Sequence, residues 1–135
     1  MKVETQLQPK LSVKQECAIG GFFGNLYSFN ISLRLYHWYL FENKNLVRYL
    51  AFEHALEELS DALDRIVEIA QSLYGEIKIT VPQTDIPQDI FEHIISFSSY
   101  VDDQRELFTD DFSESIINEY QEAVQQMLYR LVQVF

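Results

Sequence analysis

A chain of 135 residues, 47% of them hydrophobic and including 10 Phe, 8 Tyr and 1 Trp, is long enough for one domain with a packed core and too apolar for disorder. Its formal charge of −11, from 21 acidic against 10 basic side chains, argues against a binder of nucleic-acid backbones, which needs a basic face to displace counterions, and against docking on an anionic membrane surface. The same acidity is compatible with cation binding or with a basic protein partner.

The lead-in, residues 1–12, is polar, contains Pro9, and has no apolar core of a signal peptide. The single cysteine, Cys17, excludes a disulfide framework and a zinc ribbon and reads as a small core or interface residue. The most apolar stretch, residues 19–41, is interrupted by Asn25, Asn30, Arg34 and His37, so no membrane span is expected and a cytoplasmic setting is the default.

A first helix is expected over about 13–42, with Ile19, Phe22, Phe23, Leu26, Leu33 and Leu40 at three- and four-residue steps. Its other faces carry Tyr27, Phe29, Ile31, Leu35, Trp38 and Tyr39. A helix apolar on nearly every side is buried on more than one side, which in a small domain implies contact with another subunit. Gly20, Gly21 and Gly24 permit close backbone approach or a bend near Gly21. After a tight turn at Asn43-Lys44, a second helix is expected over about 45–74, with Phe52, Leu56, Leu59, Leu63, Ile66, Ala70 and Leu73 as its apolar stripe and Gly75 as its C-terminal cap. Residues 77–81 alternate at period two and are followed by Pro82 and Pro87, so 76–89 read as extended. At about 3.3 Å per residue they span on the order of 40 Å, the length of a thirty-residue helix.

Pro87 suits the first turn of a third helix over about 87–107, and Asp111 with Glu114 resembles a capping box opening a fourth that runs to the chain end. The expected fold is therefore a single domain over 13–135: an all-α, ferritin-like four-helix bundle with short, long and short connections, in which the long one lets the second and third helices run parallel. Simple up-down-up-down order is the alternative.

There is no phosphate-binding glycine loop, nucleophile elbow or HExxH. What remains is histidine plus carboxylate. On the second helix, with Asp64 at zero, Glu68 falls at about +40°, Glu57 at about +20°, Glu53 at about −20° and Tyr49 at about −60°. That acidic stripe lies about 140° from the apolar one. Carboxylate with imidazole suits Fe²⁺ or Mn²⁺, and Asp64 and Glu68, one turn apart, can reach the same ion. A charge run opposite an apolar stripe is also what a solvated face looks like. His37, beside Trp38, is either a ligand or a packed histidine, whereas His54 and His93 read as surface residues.

The stretch His37-Trp38 … Leu63-Asp64-Arg65-Ile66-Val67-Glu68 … Gly75 resembles the mini-ferritins, the DNA-binding proteins from starved cells. The resemblance covers about forty residues, and the family's spacing from histidine to D-x-x-x-E is kept between His37 and Asp64. It implies an iron site shared between two subunits of a homo-oligomer formed through the first two helices. His37 and Glu53 of one chain and Asp64 and Glu68 of the other would be the ligands, and ferroxidase or iron storage the activity. An outward acidic stripe is what such a site needs.

This sequence departs from the family at Tyr49, where a second histidine is expected, and Glu53 replaces an aspartate. The connector is shorter. Lys2 and Lys10 alone do not make a DNA-binding tail, and the E-x-x-H pairs of core di-iron bundles are missing. The same segment also resembles small ferritin-like proteins of unknown role, some of them phage-borne. That likeness implies a non-catalytic structural or adaptor component, located in the virion if phage-encoded, that meets other structural proteins.

Overall fold

The computed structural model describes residues 11–108 and 111–134. Most of the expected lead-in, residues 1–10, therefore lies outside the described residues, as do residues 109–110 and 135. Four helices carry the chain: α1 (Val13–Glu42), α2 (Leu46–Tyr74), α3 (Ile90–Gln104), extended by a 3-10 turn at Arg105–Leu107, and α4 (Asp111–Val134). No strand occurs among the described residues, and the architecture is all-α, as expected. No helix among them is long and apolar enough to cross a membrane.

The start of α1 is set by residues 11 and 12, which the sequence places in the polar lead-in. The Ser12 hydroxyl accepts from the Gln15 backbone N–H, and the Gln15 side chain accepts from the Ser12 N–H. This reciprocal pair satisfies two donors that a helix start otherwise leaves open, and Leu11 packs onto the core. Helix α1 then runs unbroken through Gly21. The turn after it holds Lys44 in the left-handed region, at φ 57°, and α2 ends at Gly75, at φ 86°, a conformation that costs glycine little.

The third helix begins at Ile90, three residues later than expected. The Asp89 carboxylate accepts from the Glu92 N–H and caps the helix there, so Pro87 stays in the connector. On α4, Asp111 is already helical, and the residues just before it lie outside the described ones.

Contacts give the direction of each helix. Asn30 donates to the Leu59 carbonyl at 3.4 Å and Tyr36 packs on Phe52, so α2 returns along α1. The connector, residues 76–89, then climbs beside α1. A Cβ at Gly20 would collide with the Lys78 carbonyl oxygen and one at Gly24 with that of Thr80, whereas Gly21 faces open space. Further up, the hydroxyls of Ser28 and Thr84 bond at 2.7 Å. Helix α3 descends along α1 again, with Phe97 stacked on Phe29 at 3.9 Å and Tyr100 bonded to Asn25 at 2.7 Å. Helix α4 rises against both α3 and α2: Gln121 donates to the Ser98 carbonyl at 3.2 Å, and Arg65 and Arg130 of the α2–α4 seam pair with Glu119 and Glu58.

The core takes the expected stripes of α1 and α2, except Leu73, which is half-buried, with Ile94, Val101, Ile117, Val124, Met127 and Leu131 from α3 and α4. Each such side chain, fully buried, contributes about 1.5–3 kcal/mol relative to exposure. Tyr120 is buried at the centre, and its phenol donates to Asn30 Oδ1 at 2.8 Å. Burial pushes its pKa far above the ordinary tyrosine value.

Candidate functional site

Helix α2 presents the expected acidic stripe outward. Glu53, Glu57, Asp64 and Glu68 are all exposed, while Phe52, Leu56, Leu59, Leu63 and Ile66 on the other side are buried. The periodicity that buries the second set forces the first set away from the core.

His37, on α1, is buried at 2% exposure. Tyr49, at the start of α2, lies flat on its ring, with centroids 3.8 Å apart and planes inclined by 12°. Phe41 packs on the same tyrosine at 5.2 Å. No hydrogen bond of normal geometry reaches either His37 ring nitrogen among the described residues. Burial lowers the pKa of His37, and the nearby Arg34 charge lowers it further. The Glu53 carboxylate and the Tyr49 backbone oppose the shift without reversing it, so His37 is a neutral imidazole with a free lone pair.

Glu53 is thus within electrostatic reach of His37. Asp64 and Glu68 act instead on Tyr27, whose pKa is raised first by burial and then by these two carboxylates. Tyr27 and His37 are ten residues apart on α1, about 15 Å along the helix. The four expected ligands therefore fall into two pairs, His37 with Glu53 and Asp64 with Glu68, at separate heights on one side of the molecule. Among the described residues, no group of three or more His, Cys, Asp or Glu side chains gathers where one ion could be held. Each pair offers two donors, too few on its own for a hard divalent cation.

Between the two pairs runs a groove of about 380 Å³, lined by Tyr27, Ile31, Arg34, Leu35, Trp38 and Asp64. Trp38 is 56% exposed and Ile31 43%, and Phe41, at the end of the hairpin, is 61% exposed. Isolated exposed apolar residues are ordinary, whereas Ile31 and Trp38 share one groove with the charged Arg34 and Asp64 at its rim.

Other readings need adjustment. Cys17 is exposed, not a core residue. His54 is a surface residue as expected, bonded to Glu58 at 2.8 Å. His93 is not: it is half-buried, and its Nε2 lies 2.7 Å from Ser32 Oγ. The signal for this was present in α1, where Asn25, Ser28 and Ser32 recur at three- and four-residue steps inside an apolar helix and require polar partners on that side.

Comparison with protein-family models, with curated proteins and with solved structures finds no match to this chain.

Proposed function

We propose that this chain is a ferritin-like, self-associating helical protein whose outer α1–α2 face pairs with the same face of a second copy. The pairing builds two sites for iron or another divalent cation, each from His37 and Glu53 of one copy and Asp64 and Glu68 of the other. The observation that carries this reading is the division of the four residues into two pairs about 15 Å apart on one face, with the exposed apolar groove between them. A two-fold contact brings the upper half of one copy onto the lower half of the other and joins both pairs at once. The helix order supports the ferritin-type reading as well: α2 and α3 both run opposite to α1, on either side of a long extended connector.

The donor set fits the ion. Carboxylates and a neutral imidazole suit Fe²⁺ or Mn²⁺, and His37, with the Tyr49 backbone beside it, keeps a ring nitrogen for a ligand. Fe²⁺ is a substrate in this reading, held and oxidised where turnover occurs. Tyr49 stands where the resemblance calls for a second imidazole, and a protonated phenol is a poor ligand, so binding rather than rapid oxidation is the activity proposed. The enclosure of His37 beneath Tyr49 favours a second reading. In it the same homo-oligomer is a structural or adaptor component without metal chemistry, in the cytoplasm or in a phage particle.

Sedimentation analysis and Fe²⁺ titration, the latter without and then with air, test both. A dimer or larger species that binds Fe²⁺ saturably, with binding lost in Asp64→Ala/Glu68→Ala, is expected. A strict monomer overturns the shared site, and equal binding by the variant leaves only the structural reading.

A further inference from the structure

About 150° around α1 from the α1–α2 groove, the helix, the connector and α3 line a second, open cavity of about 290 Å³. Its size is at the lower end of the range for small-ligand pockets. Its lining is more apolar than polar, but polar side chains from all three elements converge on it, and their hydrogen bonds can be accounted for one by one.

Ser32 donates to the Phe29 carbonyl at 2.6 Å, so its oxygen can only accept from His93 Nε2, 2.7 Å away. His93 is thereby the Nε2–H tautomer, with Nδ1 an acceptor, and burial lowers its pKa and keeps it neutral. Thr84 donates to the Pro82 carbonyl at 3.1 Å, so Ser28 donates to Thr84. Asn25 spends an amide hydrogen on the Tyr100 phenol and keeps its carbonyl oxygen.

Acceptors remain in the lining after these bonds: the Asn25 carbonyl, His93 Nδ1, the Asp85 carboxylate and spare lone pairs of the hydroxyls. Against them stand the Tyr100 hydroxyl hydrogen and the Gln83 amide, which itself both donates and accepts. No lysine or arginine lines the cavity. The aromatic pair Phe97 and Tyr100, 5.7 Å apart, adds ring faces that attract a cation. A lining rich in acceptors, with one anionic group, aromatic faces and no cation, selects a ligand that brings hydrogen-bond donors and positive charge.

We propose that this cavity binds a small organic ammonium, a primary amine carrying an aromatic body, with the amine on Asp85 and the ring against Phe97 and Tyr100. The chain's net charge of −11 raises the local concentration of such a cation.

Calorimetric titration of the whole chain with tyramine tests this. Tyrosol, its neutral analogue, and 4-hydroxyphenylacetate, its anionic one, serve as controls. Tyramine is expected to bind saturably, tyrosol about tenfold or more weakly, and the acid not at all. Asp85→Asn, an exposed change that leaves the core intact, is expected to erase the advantage of tyramine over tyrosol. Ser28→Leu, which fills the cavity, removes both, with thermal melts checking that the variant is folded. Failure of tyramine to saturate, or equal tyramine affinity in the wild type and Asp85→Asn, overturns the proposal.

Discussion

Tyr49 covers His37 face to face, at 3.8 Å between ring centroids, over an imidazole that is buried from solvent. The stack joins the residue that best matches a metal ligand to the residue that departs most from one. Tyr49→His replaces the phenol by a second nitrogen donor at the same position. It is expected to strengthen divalent-cation binding by about tenfold, read from the visible spectrum of Co²⁺ on titration. An unchanged affinity contradicts a ligand role for this corner of the molecule.

The close passage of the connector over α1 gives a prediction with an internal control. In Gly24→Ala the new methyl meets the Thr80 carbonyl, and backbone cannot move aside as a flexible side chain can. Urea unfolding is expected to show a loss of about 1–3 kcal/mol. Gly21→Ala places its methyl in open space and is expected to gain about 0.5–1 kcal/mol from helix propensity alone. Equal effects at the two positions contradict the packing of residues 78–80 on α1.

Tyr120 and Asn30 tie α4 to α1 through a part-buried hydrogen bond. Tyr120→Phe keeps the ring and leaves Asn30 Oδ1 without its donor, a loss of about 1 kcal/mol that thermal unfolding reads as a fall of a few degrees. A melting temperature equal to wild type shows that water replaces the phenol.

Acid sensitivity follows from the two lowered histidines. In the unfolded chain an imidazole takes up a proton near pH 6.5. In the folded chain burial, the leading cause for both His37 and His93, holds the pKa below that value. Between the two values the unfolded state binds more protons, so stability that is intact above about pH 6.5 falls as the pH drops through this window. His93→Gln keeps a donor for Ser32 and removes the titration. Its melting temperature is expected to fall less than the wild type's between pH 7 and 5.5, and parallel curves contradict the assignment.

The helices were legible where burial alone decides. The three- and four-residue steps of Ile19 to Leu40 and of Phe52 to Ala70 give α1 and α2 with their core faces, and the acids on α2 fall outward for the same reason. Where a single side chain decides, the pattern misleads. Asp89 outbids Pro87 for the start of α3 by accepting from Glu92, and Ser12 claims a helix start inside a polar run. Gly20 and Gly24 signalled close approach, but only the fold shows that it is the connector and not another helix that approaches. Cys17 lies outside the core and His93 is half-buried, since exposure depends on which element covers α1, and period alone does not carry that information. The pairing of His37 with Glu53 and its separation from Asp64 follow from helix direction, and a wheel drawn on one helix cannot register it.

The most direct test of a cation site shared between two copies is complementation. His37→Ala/Glu53→Ala removes one half of each site, and Asp64→Ala/Glu68→Ala removes the other, so neither protein alone is expected to bind Fe²⁺. Unfolded together and refolded as an equal mixture, half of the pairs are mixed. Each mixed pair regains one complete site of two, so that about a quarter of the wild-type binding capacity returns. No recovery on mixing, or full binding by either variant alone, contradicts the shared site.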